Sequence, residues 1–223
     1  MSELKHLGII ADGNRRWAKE HKLPKIEGHR QGLKTIEKLI QSCAKTGIQY
    51  VTFYVFSTEN WGREKSEVDY IMKMAETKIV KMAEKMAKNN IKMVVLGSRE
   101  KISPTLVSLG EKAQKITEKC DGTTVCFCFN YGGEQEIADA AKIASSEGEI
   151  TPETIRKHLY KPEIPDVDLV VRTSGEMRIS GFMLWRIAYS ELMFIEKYFP
   201  DMNEGDIKEI INEYEKRNRR FGK

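Results

Sequence analysis

The chain has 223 residues and a net charge of +4, from 37 basic and 33 acidic side chains, and 40% of its residues are hydrophobic. This size supports a sizeable core, and no linker, repeat or low-complexity run divides the chain, so we expect one domain over residues 1–223. The mild basic excess suits anionic substrates. It is too diffuse to predict nucleic-acid binding, since only the tail 216–220 is dense, and that tail also fits a solvated helix end.

The four cysteines show no metal-binding or redox spacing, and neither a signal peptide nor a long apolar segment is visible. These features predict a reduced, cytoplasmic protein. Cys126 and Cys128 lie two apart in a predicted strand, so they share one face and are expected in the core. His6, His21 and His158 lack ligand spacing and are interpreted as surface or packing residues.

Short apolar runs bounded by polar or turn residues predict six strands, namely Leu7–Ala11, Tyr50–Phe56, Lys92–Gly97, Thr123–Phe129, Asp168–Arg172 and Leu192–Ile195. Segments of helical period separate them. This alternation predicts an α/β fold with a mainly parallel six-stranded sheet flanked by helices.

The first predicted strand ends in a turn that suits a phosphate group. Residues 12–17 read Asp-Gly-Asn-Arg-Arg-Trp and lead into a helical segment, whose unpaired N-terminal N–H groups favour an anion. Gly13 permits close backbone approach, and Arg15 and Arg16 carry forked donors. The carboxylate of Asp12 opposes a bare phosphate and fits best if Mg²⁺ lies between the two. An ordinary Asp-Gly turn fits the same letters.

Two further predicted strands also end in polar segments. Residues 57–63 follow the second strand, and residues 172–180, with two arginines and two serines, follow the fifth. Ligands of open α/β sheets lie outside the carboxyl ends of the strands, so the three segments are expected to converge on one pocket.

Five motifs occur in a fixed order: Asp-Gly-Asn-x-Arg-Trp-Ala, Gly-His-Arg-x-Gly, Phe-Ser-x-Glu-Asn-Trp, Asn-Tyr-Gly-Gly and Arg-Thr-x-Gly-Glu-x-Arg-Ile-Ser-x-Phe-x-Leu-Trp. With them the chain resembles the cis-prenyltransferase family, most closely its bacterial undecaprenyl diphosphate synthases. The resemblance extends from about Leu7 to Gly222. It implies condensation of isopentenyl diphosphate onto an allylic diphosphate, such as farnesyl diphosphate, with Mg²⁺ as cofactor and undecaprenyl diphosphate as the expected product.

The resemblance also assigns roles to individual residues. The allylic diphosphate is expected on Gly13, Asn14, Arg15, Arg16, Trp17 and Lys25. Isopentenyl diphosphate is expected on Arg172, Arg178, Ile179 and Ser180. The metal carboxylates are implied to be Asp12 and Glu191. A proton-handling group is implied to comprise Asn60, His29 and Ser57, although an amide is a poor base and Asn60 can instead orient a substrate. The remaining substrate-binding residues of the second loop are Thr58, Glu59, Trp61 and Arg63.

In the family, an Arg-x-Gly sequence near the C-terminus of one subunit reaches across the dimer to the homoallylic diphosphate bound by the other subunit. The resemblance therefore implies a homodimer with Arg220 and Gly222 close to that site. It also implies peripheral membrane contact, because a lipid product must leave. The chain departs from the bacterial pattern at Arg15, Lys25 and Met177, and mildly at Ser174. At position 25, lysine keeps the positive charge of arginine but lacks the paired N–H donors of a guanidinium group. At position 177, methionine is a poor Mg²⁺ ligand.

Product length stays open. The apolar face of the helical segment 67–88 fits either core packing or the wall of a hydrocarbon tunnel. If Val55, Phe127 and Phe129 face inward, they narrow such a tunnel, and a short-chain product is the alternative. A non-catalytic binding subunit is the third reading. It is disfavoured because the aspartate and both isopentenyl arginines are present.

Overall fold

The computed structural model describes residues 4–217. Its sheet contains six strands: β1 (His6–Ile10), β2 (Tyr50–Ser57), β3 (Lys92–Leu96), β4 (Thr124–Tyr131), β5 (Leu169–Arg172) and β6 (Glu191–Phe194). The strand order is β3-β4-β2-β1-β5-β6, and every neighbouring pair is parallel. The six predicted strands are therefore confirmed to within two residues at each end, and the sheet is entirely rather than mainly parallel.

Helices cover both faces of this sheet. In the described part of the chain they are α1 (Asn14–Glu20), α2 (Lys25–Thr46), α3 (Lys65–Ala87), α4 (Pro104–Ile116), α5 (Gly133–Glu147), α6 (Pro152–His158) and α7 (Glu204–Glu215). Two 3₁₀ turns add Thr58–Gly62 and Phe199–Asp201. Among the described helices, none is both long and apolar enough to cross a membrane.

The central strands are apolar along almost their whole length because both of their faces are covered. All five residues of β1 and all four of β5 are buried. On one face Phe53 and Phe127 stack with ring centroids 6.1 Å apart. On the other face Cys126 and Cys128 are fully buried, as predicted. The two faces thus form two core layers on one α/β domain.

The Gly-His-Arg-x-Gly motif does not form the turn that its glycines suggest. Residues 28–32 lie inside α2, and the glycines serve close packing of α1 on α2. A Cβ at Gly28 would lie 1.9 Å from the carbonyl oxygen of Asn14, and one at Gly32 would lie 2.6 Å from its Oδ1 atom. This contact brings His29 and Asn14 together at one end of the sheet.

Candidate active site

The three predicted polar segments converge because β2, β1 and β5 are adjacent and parallel, so their carboxyl ends meet at one edge of the sheet. They surround a cleft of about 1360 Å³. Seven basic residues line it, namely Arg15, Arg16, Lys19, Lys25, Arg63, Arg172 and Arg178. Four acidic residues also line it, namely Asp12, Glu59, Glu134 and Glu176. The cleft is therefore suited to a multiply charged anion.

The first turn depends on the glycine at its centre. Gly13 precedes α1 with a φ of 103°, a left-handed conformation that favours glycine. A Cβ at this position would also lie 2.7 Å from the ring of Tyr198. The Gly13 N–H donates to Asp12 Oδ1 at 2.7 Å, and the Asp12 N–H donates to Thr173 Oγ1 at 2.9 Å. The first and third polar segments are therefore joined at this turn.

Arg172 connects the acid of the first turn to the third loop. Its Nη2 donates to Asp12 Oδ2 at 2.8 Å, and its Nη1 donates to Ser180 Oγ at 2.8 Å. Burial tends to raise the pKa of Asp12, but the hydrogen bond and charge of Arg172 outweigh it and hold that pKa below its ordinary value. Asp12 is thus an anion at neutral pH and faces the cleft with 29% of its side chain exposed.

Glu176 holds two cleft arginines together. Its Oε1 accepts from Arg16 Nη1 at 2.8 Å, and its Oε2 accepts from Arg178. Arg16 also donates to the Ser174 hydroxyl and to the Ser174 carbonyl, the latter at 3.1 Å. The arginines of the first and third segments therefore form one cationic cluster.

A buried carboxylate that the sequence interpretation missed lies behind the cleft. Glu67 is 3% exposed; its Oε1 accepts from His29 Nε2 at 2.9 Å and from Arg63 Nη1 at 3.1 Å, and its Oε2 forms an ion pair with Arg15 Nε at 3.8 Å. Burial favours its neutral form, but His29 and the two arginines outweigh that effect and lower its pKa. Burial also lowers the pKa of His29, although Glu67 opposes this. Arg63 and Glu67 are four residues apart, a spacing that brings two side chains together on a helix. This spacing was the one feature of the sequence that indicated the buried cluster around Glu67.

The second polar segment is held by side-chain caps. Asn60 Oδ1 accepts from the Ser57 backbone N–H at 3.2 Å, in a capping box that starts the Thr58–Gly62 turn. Trp61 Nε1 donates to Asn130 Oδ1 at 2.7 Å. Asn130 belongs to the Asn-Tyr-Gly-Gly motif, to which the sequence analysis assigned no role.

Three buried polar atoms in the described residues lack a hydrogen-bond partner: Asn14 Oδ1, Glu67 Oε2 and Arg172 Nε. All three belong to this site. Buried polar groups are normally paired, so their clustering indicates a place where a polar ligand or water completes the bonding.

An apolar cavity of about 420 Å³ adjoins the polar cleft. The residues that line both spaces are Ala11, Asn14, His29 and Val55. Phe127 and Phe129 line the cavity as well, so the three side chains that could narrow a tunnel all face it. From α3 it is lined by Ile71, Met74, Ala75, Lys78, Ile79 and Met82. Val68, Met72 and Met86, on the same predicted apolar face, pack in the core instead.

The remaining predicted residues take varied positions. Lys25 lines the cleft and its Nζ lies 2.9 Å from Glu64 Oε2. Ser57, Thr58 and Glu59 also line the cleft. Three predicted substrate-binding residues do not line the cleft, namely Trp17, Trp61 and Ile179. Met177 is 78% exposed. Arg220 and Gly222 lie outside the described residues.

Glu191 does not join Asp12 within one chain. It is the first residue of β6 and pairs in register with Leu169 at the start of β5, whereas Asp12 follows the opposite end of β1. The four residues of β5 span about 10 Å along the strand, and this length separates Glu191 from the end of the sheet where Asp12 lies. Glu191 instead pairs with Arg217 Nη1 at 3.0 Å. Within a single chain the two carboxylates therefore do not meet, and the assignment of both as metal carboxylates stays a prediction.

A parallel α/β sheet with a basic cleft beside an apolar cavity has the shape and charge to suit a ligand with an anionic head and a hydrocarbon tail. Residues 10–222 match the family described as putative undecaprenyl diphosphate synthase. The chain belongs to this family of cis-prenyltransferases, and it is a transferase.

Known relatives cover almost the whole chain. An isoprenyl transferase of Rickettsia bellii is 44% identical over 225 residues, which span all of both chains. One from Neisseria gonorrhoeae is 40% identical over 98% of this chain and 89% of its own. Among solved structures, lavandulyl diphosphate synthase from Lavandula x intermedia in complex with dimethylallyl diphosphate has a TM-score of 0.95 at 28% identity, covering 99% of this chain and 98% of its own. A probable undecaprenyl diphosphate synthase from Campylobacter jejuni has a TM-score of 0.85 at 33% identity, covering all of both chains.

Proposed function

We propose that the protein condenses isopentenyl diphosphate onto an allylic prenyl diphosphate in the presence of Mg²⁺, giving a Z-polyprenyl diphosphate, with undecaprenyl diphosphate as the product. The observation that carries this proposal is the junction of the two spaces. Four residues line both the basic cleft and the apolar cavity, so a diphosphate in one can extend its hydrocarbon chain into the other.

The allylic diphosphate rests on the first turn. Gly13 and Asn14 line the cleft there, and Arg15, Arg16 and Lys25 supply positive charge. Its hydrocarbon tail passes His29 and enters the apolar cavity. Burial of the tail supplies affinity in proportion to its apolar area.

Isopentenyl diphosphate binds at the third segment, between Arg172, Arg178 and Ser180. Arg172 is 4% exposed and is already fixed by its hydrogen bonds to Asp12 and Ser180, so the clamp is preorganised. Holding two anions side by side is the main entropic task of the reaction. The cationic cluster of Arg16 and Arg178 offsets their mutual repulsion.

The residues present fit Mg²⁺ bound by one protein carboxylate together with diphosphate oxygens and water, which is a common arrangement for this ion. Asp12 is the carboxylate at the mouth of the basic cleft. The described residues contain no cluster of three or more His, Cys, Asp or Glu side chains that could hold a metal alone. When bound, the ion supplies Lewis-acid stabilisation of the leaving diphosphate.

His29, Asn60 and Ser57 all line the cleft, and we assign them to handling the proton that the condensing unit loses. Asn60 Oδ1 is engaged by the Ser57 N–H, so its free amide N–H groups are available to orient a diphosphate oxygen. His29 is buried with a lowered pKa and is therefore neutral at pH 7. Its Nε2 lies against Glu67, which leaves Nδ1 as the ring atom able to accept a proton.

The test is incubation of the purified protein with farnesyl diphosphate, labelled isopentenyl diphosphate and Mg²⁺, with product length read by reversed-phase separation. Dimethylallyl diphosphate serves as a second primer, and EDTA is the metal control. A Mg²⁺-dependent ladder of products supports the proposal. Absence of incorporation with both primers contradicts it.

A second candidate, a short-chain Z-prenyl diphosphate synthase, is favoured by the inward position of Val55, Phe127 and Phe129. The cavity volume of about 420 Å³ also lies toward the lower end of the range for small-molecule pockets, roughly 300–1,000 Å³. The same incubation separates the two candidates, because a ladder that stops early supports the second. Phe129→Ala should then extend the ladder.

We also propose a homodimer acting in the cytoplasm with peripheral membrane contact. β6 is an edge strand beside the exposed side chains of Tyr189 and Leu192, which are 77% and 41% accessible. Such an edge is a natural pairing surface. Light scattering of the protein and of Leu192→Glu tests the assembly, and a monomeric wild-type protein would contradict it.

A further inference from the structure

The apolar cavity and a separate surface groove approach each other at one residue of α3. The groove has a volume of about 580 Å³ and lies between α2, α3 and the start of α7. Met82 lines the cavity on one side and the groove on the other, and no other described residue lines both. Its side chain is buried and lies where the two spaces come closest in the described residues.

The other rim of the cavity is less suited to hydrocarbon. There the lining includes Lys78, Arg99 and Glu111, and Arg99 Nη2 pairs with Glu111 Oε1 at 2.7 Å. These two side chains are 74% and 55% exposed, so a chain that emerges between them meets water and charge. Exposure of apolar surface at that rim is unfavourable.

The groove beyond Met82 offers apolar cover beside an ion pair of its own, between Lys85 and Glu37. Ile40 and Met86 line it, and so do the lysines at positions 34, 38, 45 and 85. Lysine stems can cover hydrocarbon while their ammonium groups stay in water. Methionine is unbranched and flexible, so a growing chain can displace it more readily than a branched or aromatic side chain.

We propose that Met82 is a product-length determinant, which limits the hydrocarbon chain at the cavity wall and whose truncation opens the cavity into the groove. This inference rests on the proposed function, since it assumes that the cavity holds the prenyl tail. Met82→Ala should lengthen the product ladder. Met82→Phe, which keeps the core filled, should shorten it.

A binding measurement separates this inference from the proposed function. The probes are n-alkyl diphosphates of increasing length, titrated calorimetrically against wild type, Met82→Ala, Met82→Phe and Met86→Ala. Affinity should rise about fourfold for each buried methylene until the chain meets the wall. Met86 is the matched control, because it is buried on the same helix and lines the groove but not the cavity.

In Met82→Ala, the probe length at which affinity stops rising should be greater than in wild type, and the longest probe should bind at least tenfold more tightly. In Met86→Ala, affinity should stop rising at the same probe length as in wild type. If wild-type affinity does not rise with chain length, the cavity is not a tail site and the proposed function fails with this inference. If it rises but all Met82 variants share the wild-type limit, only the role of Met82 is overturned. If Met82→Ala does not fold, the comparison of Met82→Phe with wild type still tests the role of Met82.

Discussion

At the scale of single residues, the site depends on a few acids that each organise several cations. Asp12 is held by Arg172, Glu176 joins Arg16 to Arg178, and Glu67 gathers three basic groups. Because these acids are surrounded by positive charges, replacement of one of them changes both the positions of the neighbouring cations and the net charge that a bound substrate meets.

Asp12→Ala should reduce turnover by on the order of 10²–10³-fold or more, because transition-state charge at the leaving diphosphate loses its carboxylate-held support. Folding and isopentenyl diphosphate binding should remain, since Arg172 keeps its bond to Ser180 at 2.8 Å. Incorporation of labelled isopentenyl diphosphate and calorimetric binding measure the two effects. A near-normal rate in this variant would refute the role of Asp12.

Glu67→Gln should lower the free energy of unfolding at pH 7 by about 1.5–3 kcal/mol, the range for hydrogen bonds to charged groups. The pKa of Glu67 is lowered from 4.5 in the folded protein, so its stabilisation is complete above about pH 4.5 and is lost as the pH falls through the lowered pKa. The difference between variant and wild type should therefore shrink in acid.

Urea titrations at neutral and acidic pH measure this difference. Glu64→Gln is the control, because Glu64 is 66% exposed and its ion pair with Lys25 is expected to contribute about 0–1 kcal/mol. A pH-independent loss in Glu67→Gln would show that packing rather than charge explains the effect.

At the scale of elements, the short segment between β2 and α3 carries much of the chemistry. Its capping box fixes Asn60, the bond from Trp61 to Asn130 ties it to β4, and Arg63 ties it to Glu67 at 3.1 Å. The segment is thus anchored at three points around the cleft.

Asn60→Asp discriminates between the two roles considered for this amide. Aspartate can still cap the turn, but it loses the amide donor and places a negative charge near the diphosphates. We expect kcat to fall on the order of 10²–10³-fold, as in Asn60→Ala, because an orienting donor is lost in both. Steady-state kinetics of both variants measure this. Retained activity in the aspartate variant alone would identify residue 60 as the proton acceptor.

At the scale of the whole molecule, one buried histidine makes stability depend on pH. His6 Nδ1 lies 3.0 Å from the Pro165 carbonyl, which can only accept, so Nδ1 carries the hydrogen and Nε2 accepts from Thr52 Oγ1 at 2.7 Å. Burial lowers the pKa of His6 from 6.5 to about 4. The folded protein therefore resists protonation of this residue while the unfolded chain does not.

Between pH 6.5 and about 4 the unfolded chain binds the extra proton at His6, so the free energy of unfolding should fall as the pH falls, by about 3 kcal/mol across this window. His6→Gln should remove that part of the slope. Urea titrations across the window measure it, with His21→Gln, at an exposed histidine, as the control. An unchanged slope in His6→Gln would contradict the assignment.

The six strands, the alternation of strands and helices, and the family could all be predicted before the fold was known, because apolar runs and ordered motifs are local properties of the chain. The sequence also indicated which strand ends carry polar segments. The burial of Cys126 and Cys128 followed from strand periodicity alone.

Which side chains meet in space could not be predicted in the same way, because it depends on how the elements pack. Glu67 lies behind the cleft because α3 packs beside α2, and α1 can approach α2 closely because positions 28 and 32 are glycines. Strand register places Glu191 and Asp12 of one chain at opposite ends of the sheet, which the two sequence segments do not reveal. Distances between remote residues depend on register and helix packing, and neither is written in the local pattern of the chain.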